Sequence, residues 1–244
     1  MIYPEPKFLP CGDLAVSVEL GDEISREVNA RVRALERLIQ EQRTPGIVET
    51  VPSFRALLIY YDPLVIGWEP LVKAVRSLIP LAAYRPAPPG RRVEIPCRYG
   101  GEMGPDLAGV AERLGLTEDE VVRLHSGAEF LVSFIGFTPG LPFLTGLPQR
   151  LTIPRLDTPR TSTPVGSVAI GGIQGSIYPV ESPGGHWVLG RTPLCLYDPS
   201  QADPILLRPG DRVRFRPIDD AEFAVIANAV ERGAFAARIE EAPS

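Results

Sequence analysis

Hydrophobic and polar positions alternate with a period of two around Leu14, Val16 and Val18, which predicts a strand. From Asp22, read as a helix N-cap, to Gln42 the period changes. Ile24, Val28, Val32, Leu35, Leu38 and Ile39 recur at helical spacing and mark one buried stripe. Gly46 breaks the pattern. Ile47–Val51 and Arg55–Tyr61 then read as strands on either side of Pro52-Ser53, and Asp62-Pro63 ends the second. Leu71, Val72, Val75 and Leu78 give a second amphipathic helix over Glu69–Leu78. The order strand, helix, strand, strand, helix predicts an α+β domain of ferredoxin-like type over residues 1–85. Nothing in this stretch carries a catalytic pattern, so it reads as scaffold or docking element.

The segment RPAPPGRR, Arg85–Arg92, reads as a stiff linker, with the domain boundary at 86–92. Beyond it Arg92–Pro96 reads as a strand. Asp106 is positioned to cap a short helix that Gly115 stops, and Thr117 with Glu120 forms a capping box for a second. His125 falls at the C-terminal end of that helix, where the dipole favours imidazolium. Ala128–Ile135 is a strand candidate. It feeds the stretch SFIGFTPGLPFLTGLP, Ser133–Pro148, in which prolines, glycines and aromatics predict a rigid shaped loop. Short apolar runs between Pro/Gly turns follow, as expected of an antiparallel barrel or sandwich. Val213 and Phe215 face inward in a late strand, Ala221–Arg232 reads as a closing helix, and Ile239–Ser244 reads as frayed. This second domain is placed at 93–232, with a tail at 233–244.

Composition narrows the class. With 244 residues the chain is long enough for a substantial core, and 44% hydrophobic residues with a formal net charge of -5 describe a globular protein. That charge argues against a general nucleic-acid or anionic-membrane binder. Cys11, Cys97 and Cys195 lie far apart, which fits a reducing compartment and no cysteine-based metal motif. The first residues lack a leader-like apolar core, and no apolar run reaches membrane-spanning length, so a cytoplasmic protein is expected. His125 and His186 are the two histidines, too few for a His-rich metal site, and no metal is expected.

No Walker A loop, GxGxxG, GxSxG or HExxH pattern occurs. The polar residues embedded in the Pro/Gly loops of the second domain are Arg155, Arg160, Arg191, Ser167, Gln174, Tyr178 and His125. Arginine presents a planar, permanently charged fork suited to carboxylate or phosphate. Either these arginines hold an anion, or they pair with acids and cover the barrel surface. Gln174 suits an amide or lactam. Tyr178 reads as a site or a core residue, and Glu181 and Asp157 are weaker acidic candidates for proton transfer.

The segments GDLAVSVELG, YGGEMGPDL, FIGFTPGLPFLTGLP, IPRLDTPRTSTPVGSVAIGG, IYPVESPGG, GRTPLCLYDP and LLRPGDRVRFRPI follow one another in the order seen in one family. The chain resembles the 5-oxoprolinase B-subunit (PxpB) family, also called KipI-like or allophanate hydrolase subunit 1-like, over nearly its whole length. The resemblance implies a cyclophilin-like β-barrel second domain. It also implies a paralogous partner of the KipA or 5-oxoprolinase C-subunit type, together with the A-subunit. The implied activity is ATP-dependent opening of 5-oxoproline to glutamate by the assembled complex, with ATP and Mg as its cofactors, and the chain alone is expected to be inactive. Two alternatives come with the resemblance: a KipI-like inhibitor of a sensor histidine kinase, and a carboxyltransferase-like component serving a biotinyl partner, as in urea carboxylase. Position by position, the resemblance implies catalytic roles for His125 and Gln174. It implies substrate-binding roles for Phe137, Pro139, Gly140, Arg155, Arg160, Tyr178 and Arg191. Two places depart from the family pattern. Gln174-Gly175-Ser176 stands for the usual QTG, and His186 stands where tryptophan is usual, with Trp187 following.

Overall fold

The computed structural model describes residues 1–84 and 90–241. The chain divides into two compact units, residues 1–88 and 89–244. Most of the expected linker lies outside the described residues. The part that is described, from Gly90, leads directly into the second unit.

The first unit runs β1 (Ile2–Pro10), β2 (Ala15–Gly21), α1 (Arg26–Gln42), β3 (Ile47–Pro52), β4 (Ala56–Tyr61) and α2 (Trp68–Tyr84). Its strands form one antiparallel sheet in the order β1-β2-β4-β3. Val16, Val18 and Leu20 of β2 and Leu57 and Ile59 of β4 bury one face against Val28, Val32, Leu35 and Leu38 of α1 and Leu71 and Val75 of α2. The expected strand and helix order is present, with an extra strand before it. Three prolines argue against a strand at 2–10, but β1 is a sheet edge, where a missing N–H removes no ladder bond. The helix cap is also corrected. Ser25, not Asp22, accepts the Val28 N–H at 3.2 Å, while Asp22 pairs with the terminal amine of Met1. α2 runs past its expected end at Leu78, through Pro80, because Ala82 buries its last turn in the same core.

The second unit contains β5 (Arg92–Tyr99), α3 (Leu107–Leu114), α4 (Glu118–Ser126), β6 (Phe130–Ile135), β7 (Pro142–Thr145), β8 (Arg160–Thr163), β9 (Ser167–Gly171), β10 (Gln174–Ile177), β11 (Ser182–Gly184), β12 (Trp187–Arg191), β13 (Arg212–Pro217), α5 (Asp220–Glu231) and β14 (Ile239–Glu240). Seven strands close a barrel in the order β12-β9-β10-β7-β6-β13-β5 and back to β12. The β5–β13 pair is parallel and the other pairs are antiparallel. Phe130, Val132, Leu144, Val168, Ile170, Ile177, Leu189, Val213 and Phe215 fill the interior. β8 and β11 make a separate two-stranded ribbon.

Two expectations change here. The loop expected over 133–148 is largely a β6–β7 hairpin whose tip is 136–141. Pro142 is accepted as the first residue of its strand. Part of the end expected to fray is pinned, since Ile239 and Glu240 pair with Val93 and Arg92 of β5, while 242–244 lie outside the described residues. Arg91 anchors the start of the unit through a bidentate pair with the buried Asp211, at 3.1 and 2.6 Å.

Candidate functional site

Strand alternation decides which side chains meet. On β9, Val168 and Ile170 point into the barrel, so Ser167, Ala169 and Gly171 line its outer wall. On β10, Ile177 points inward, so Gln174 and Ser176 share that outer wall with Tyr178, the residue that follows the strand. A cleft of ≈ 120 Å³ sits on this wall, lined by Phe137, Leu141, Phe143, Arg155, Ser176, Tyr178, Gly184, Gly185 and His186.

The floor of the cleft is a hydrogen-bonded pair, Ser176 Oγ to His186 Nδ1 at 2.8 Å, with both residues buried. Burial, and then the charge of Arg155, push the His186 imidazole down to about 4, so it is neutral at pH 7. Gly171 leaves the space that His186 occupies, since a Cβ there would lie 2.4 Å from His186 Cδ2. Arg155 is the charged residue at the cleft, and its Nη2 reaches Gln174 Oε1 at 3.4 Å. An Ile153–Gly172 bridge and the Leu156 N–H on the Gly185 carbonyl at 2.8 Å hold its loop in place. The Tyr178 hydroxyl packs against Gly184 and Thr163, and burial raises its pKa.

The rim is strained. Phe137 has φ 69°, and the Thr138 N–H reaches back to the Gly136 carbonyl at 2.8 Å, a γ-turn in its unfavourable positive-φ form. The Phe137 ring is 70% exposed at the cleft mouth. Beside it Phe134 stacks on Phe143 with ring centroids 4.3 Å apart. Gly140 (φ 79°) is buried against Tyr197 and Pro179 and shapes the hairpin tip, while Pro139 is exposed there and lies outside the cleft lining.

Of the residues singled out from sequence, the structure gathers Phe137, Arg155 and Tyr178 in the cleft lining, holds Gln174 beside it through Arg155, and separates the others. His125 lies in the barrel core at 0% exposure. Its Nδ1 pairs with the Tyr99 hydroxyl at 2.8 Å, and its ring packs on Phe130 and Phe215. Burial drives its pKa down to about 3, so desolvation overrides the helix dipole and the imidazole is neutral and out of a ligand's reach. Arg160 is occupied by an ion pair. Its Nη2 binds Asp106 Oδ1 at 2.5 Å and its Nη1 approaches the His186 carbonyl at 3.3 Å, while Asp106 Oδ2 accepts the Val188 N–H at 2.7 Å. It buttresses the segment that presents His186. Arg191 lies at the far end of β12, opposite Ser167. Ser176 and His186 line the cleft without having been among the candidate site residues, although His186 stood out as a departure from the family pattern. The signal available for Ser176 was its i+2 spacing between Gln174 and Tyr178. Trp187, next to His186, turns away to donate to the Pro154 carbonyl at 2.7 Å.

The chain is similar to known proteins over most of its length. The family model "Carboxyltransferase domain, subdomain C and D" matches residues 6–207. The Bacillus subtilis protein named as the B-subunit of 5-oxoprolinase is 39% identical over 222 residues, covering 87% of this chain and 92% of that protein. The crystal structure of TTHA0988 matches with TM-score 0.75 and 38% identity over 84% of this chain, which spans only 40% of that longer chain. The Kluyveromyces lactis urea carboxylase shares the fold, with TM-score 0.83 at 23% identity over 99% of this chain and 25% of its own. By extended sequence identity and by a family model that spans most of its length, this chain belongs to the 5-oxoprolinase B-subunit family of carboxyltransferase-type domains.

Proposed function

We propose that this chain is one component of an ATP-dependent 5-oxoprolinase-type complex that opens 5-oxoproline to glutamate, and that the cleft on the barrel wall takes the lactam acid. The observation that carries the reading is the 39% identity to the B-subunit of a 5-oxoprolinase, over 92% of that protein's length. The cleft agrees in size and chemistry. Its ≈ 120 Å³ suits a small ligand. ATP with Mg is expected for the assembled complex, and this chain carries no recognisable nucleotide motif. In the cleft, Arg155 offers a charged fork to a carboxylate and the neutral Ser176–His186 pair offers hydrogen bonds to an amide, with Gln174 beside Arg155. The complex is cytoplasmic in this reading. It includes a paralogue of the KipA or C-subunit type and the A-subunit, and this chain alone is inactive.

The test is co-expression with the neighbouring subunits and an ATP-hydrolysis assay with and without 5-oxoproline. Stimulation that needs the whole complex and disappears in Arg155→Ala or Gln174→Ala is the expected result. Undiminished turnover in both variants overturns the site, and a stable complex with no stimulation overturns the substrate. The match to the carboxyltransferase model favours a second reading, transfer of a carboxyl group with a biotinyl partner. Dependence of turnover on biotin separates the two.

A further inference from the structure

The arginines of the barrel unit differ in how their donors are used. Arg91, Arg98, Arg160 and Arg216 each hold a carboxylate at 2.5–2.7 Å, so their forks are occupied. Three others on the outer wall are not held this way. Val93 and Ile95 of β5 and Val213 and Phe215 of β13 point into the core, so Arg92, Arg212 and Arg214 point outward. The parallel β5–β13 pairing sets Arg92 directly beside Arg212. Both lean on one carboxylate, Glu129, at 3.7 and 3.5 Å, too far for close hydrogen bonds. Arg214 is exposed and, among the described residues, makes no ion pair and no side-chain hydrogen bond. Like charges on facing strand positions repel, and an anion lying between them removes that cost.

These three arginines open onto one cavity of ≈ 330 Å³. Arg238 joins them from the segment before β14, where its carbonyl accepts the Glu94 N–H at 3.0 Å. The acids of the cavity are already engaged. Glu94 meets Arg216 at 3.0 Å, Glu240 meets Arg238 at 3.2 Å, and Glu129 is shared between Arg92 and Arg212. Four guanidinium groups face three carboxylates there, one of which is drawn to Arg216 outside the lining, so the cavity keeps a positive excess. Strand spacings spread the arginines over an area about 10 Å wide and about 7 Å long. A lone carboxylate is too short to span that area. A chain of linked phosphoryl groups presents acceptor oxygens and negative charge along its whole length, which is what arginine forks bind. Val93 is the one apolar residue of the described lining and no aromatic ring is among it, so the cavity selects for charge.

We propose that the cavity on β5, β13 and β14 is a polyphosphate seat, in which Arg92, Arg212, Arg214 and Arg238 take two or more linked phosphoryl groups, free or carried by a nucleotide. Binding turns the donors of Arg92 and Arg212 from Glu129 to the phosphoryl oxygens and fills the open fork of Arg214. The cleft described above lies on β9 and β10, a different part of the barrel wall, and the seat uses none of its residues. The proposal therefore stands apart from the lactam reading.

The experiment is calorimetric titration of the full chain with sodium tripolyphosphate, with ATP and, at matched ionic strength, with sodium acetate. Saturable single-site binding of tripolyphosphate and none of acetate is expected. Arg214→Gln, at an exposed position with no protein partner to lose, weakens binding about tenfold and leaves Tm unchanged. Arg212→Gln combined with Arg214→Gln weakens it about a hundredfold. Arg150→Gln, an exposed arginine outside the cavity, leaves it unchanged. Equal affinity for tripolyphosphate and ATP supports the seat with the phosphate chain as the whole ligand, and tighter binding of ATP supports it with a nucleotide as the source. No saturable binding, an affinity unmoved in the double variant, or an equal loss in Arg150→Gln overturns the proposal. Tripolyphosphate binding in a chain whose assembled complex 5-oxoproline does not stimulate keeps the seat and counts against the lactam reading, so the two ideas fail separately.

Discussion

Replacing Asp106 by alanine separates a structural arginine from a ligand-binding one. Asp106 accepts from Arg160 at 2.5 Å and from the Val188 N–H at 2.7 Å. Each is a charge-assisted bond of the kind that contributes roughly 1.5–3 kcal/mol. The Arg160 side chain is 31% exposed, so its share is discounted for solvent screening, whereas Val188 is buried and its N–H loses its side-chain acceptor. The expected destabilisation is about 3 kcal/mol, which in a unit of this size lowers Tm by roughly 6–12 °C. Calorimetry on the full chain measures it. A cycle with Arg160→Met isolates the pair, with an expected coupling of about 1.5 kcal/mol. Because the same clamp holds the His186 carbonyl, both variants also shift the His186 ring signals in NMR. An unchanged Tm in Arg160→Met, together with a raised KM in the assembled complex, refutes the clamp and returns Arg160 to the role of anion binder.

Three further outcomes are expected. His125 and His186 have folded pKa values of about 3 and about 4, below the unfolded value, so the unfolded chain takes up protons first as pH falls. Stability is full above about pH 6.5 and drops by about 2 kcal/mol per histidine at pH 5. His125→Gln halves that slope in urea titrations, and an unchanged slope contradicts the burial argument. Phe137→Gly relieves the positive φ at an exposed position and raises stability by about 1 kcal/mol while weakening ligand capture at the cleft. A melt that falls instead removes the strain. Gly171→Ala drives a methyl into His186 and breaks the Ser176–His186 bond, which a changed His186 tautomer or titration in NMR reports.

Much of the local structure was legible because local rules govern it. The stripe Val28, Val32, Leu35, Leu38, Ile39 faces the core as its spacing requires, and the Thr117–Glu120 capping box forms as written. The failures sit where local preference yields to context. The prolines of β1 are acceptable because a sheet edge needs no donor there, and Asp22 is not the cap because the helix begins at Arg26, which puts Ser25 in the capping position.

The sequence by itself determined the segment types, the family, and the residue kinds from which a site is built: arginines, an amide, an aromatic loop rich in glycine and proline. Only the tertiary structure decided which of them meet. Barrel closure put Gln174, Ser176 and Tyr178 on one outer wall, carried Arg155 and His186 to it from distant loops, and left His125 sealed among aromatic rings inside. Chemical type is written residue by residue. Burial, pairing and hence charge state depend on neighbours many residues away, and those are fixed only when the strands close the ring.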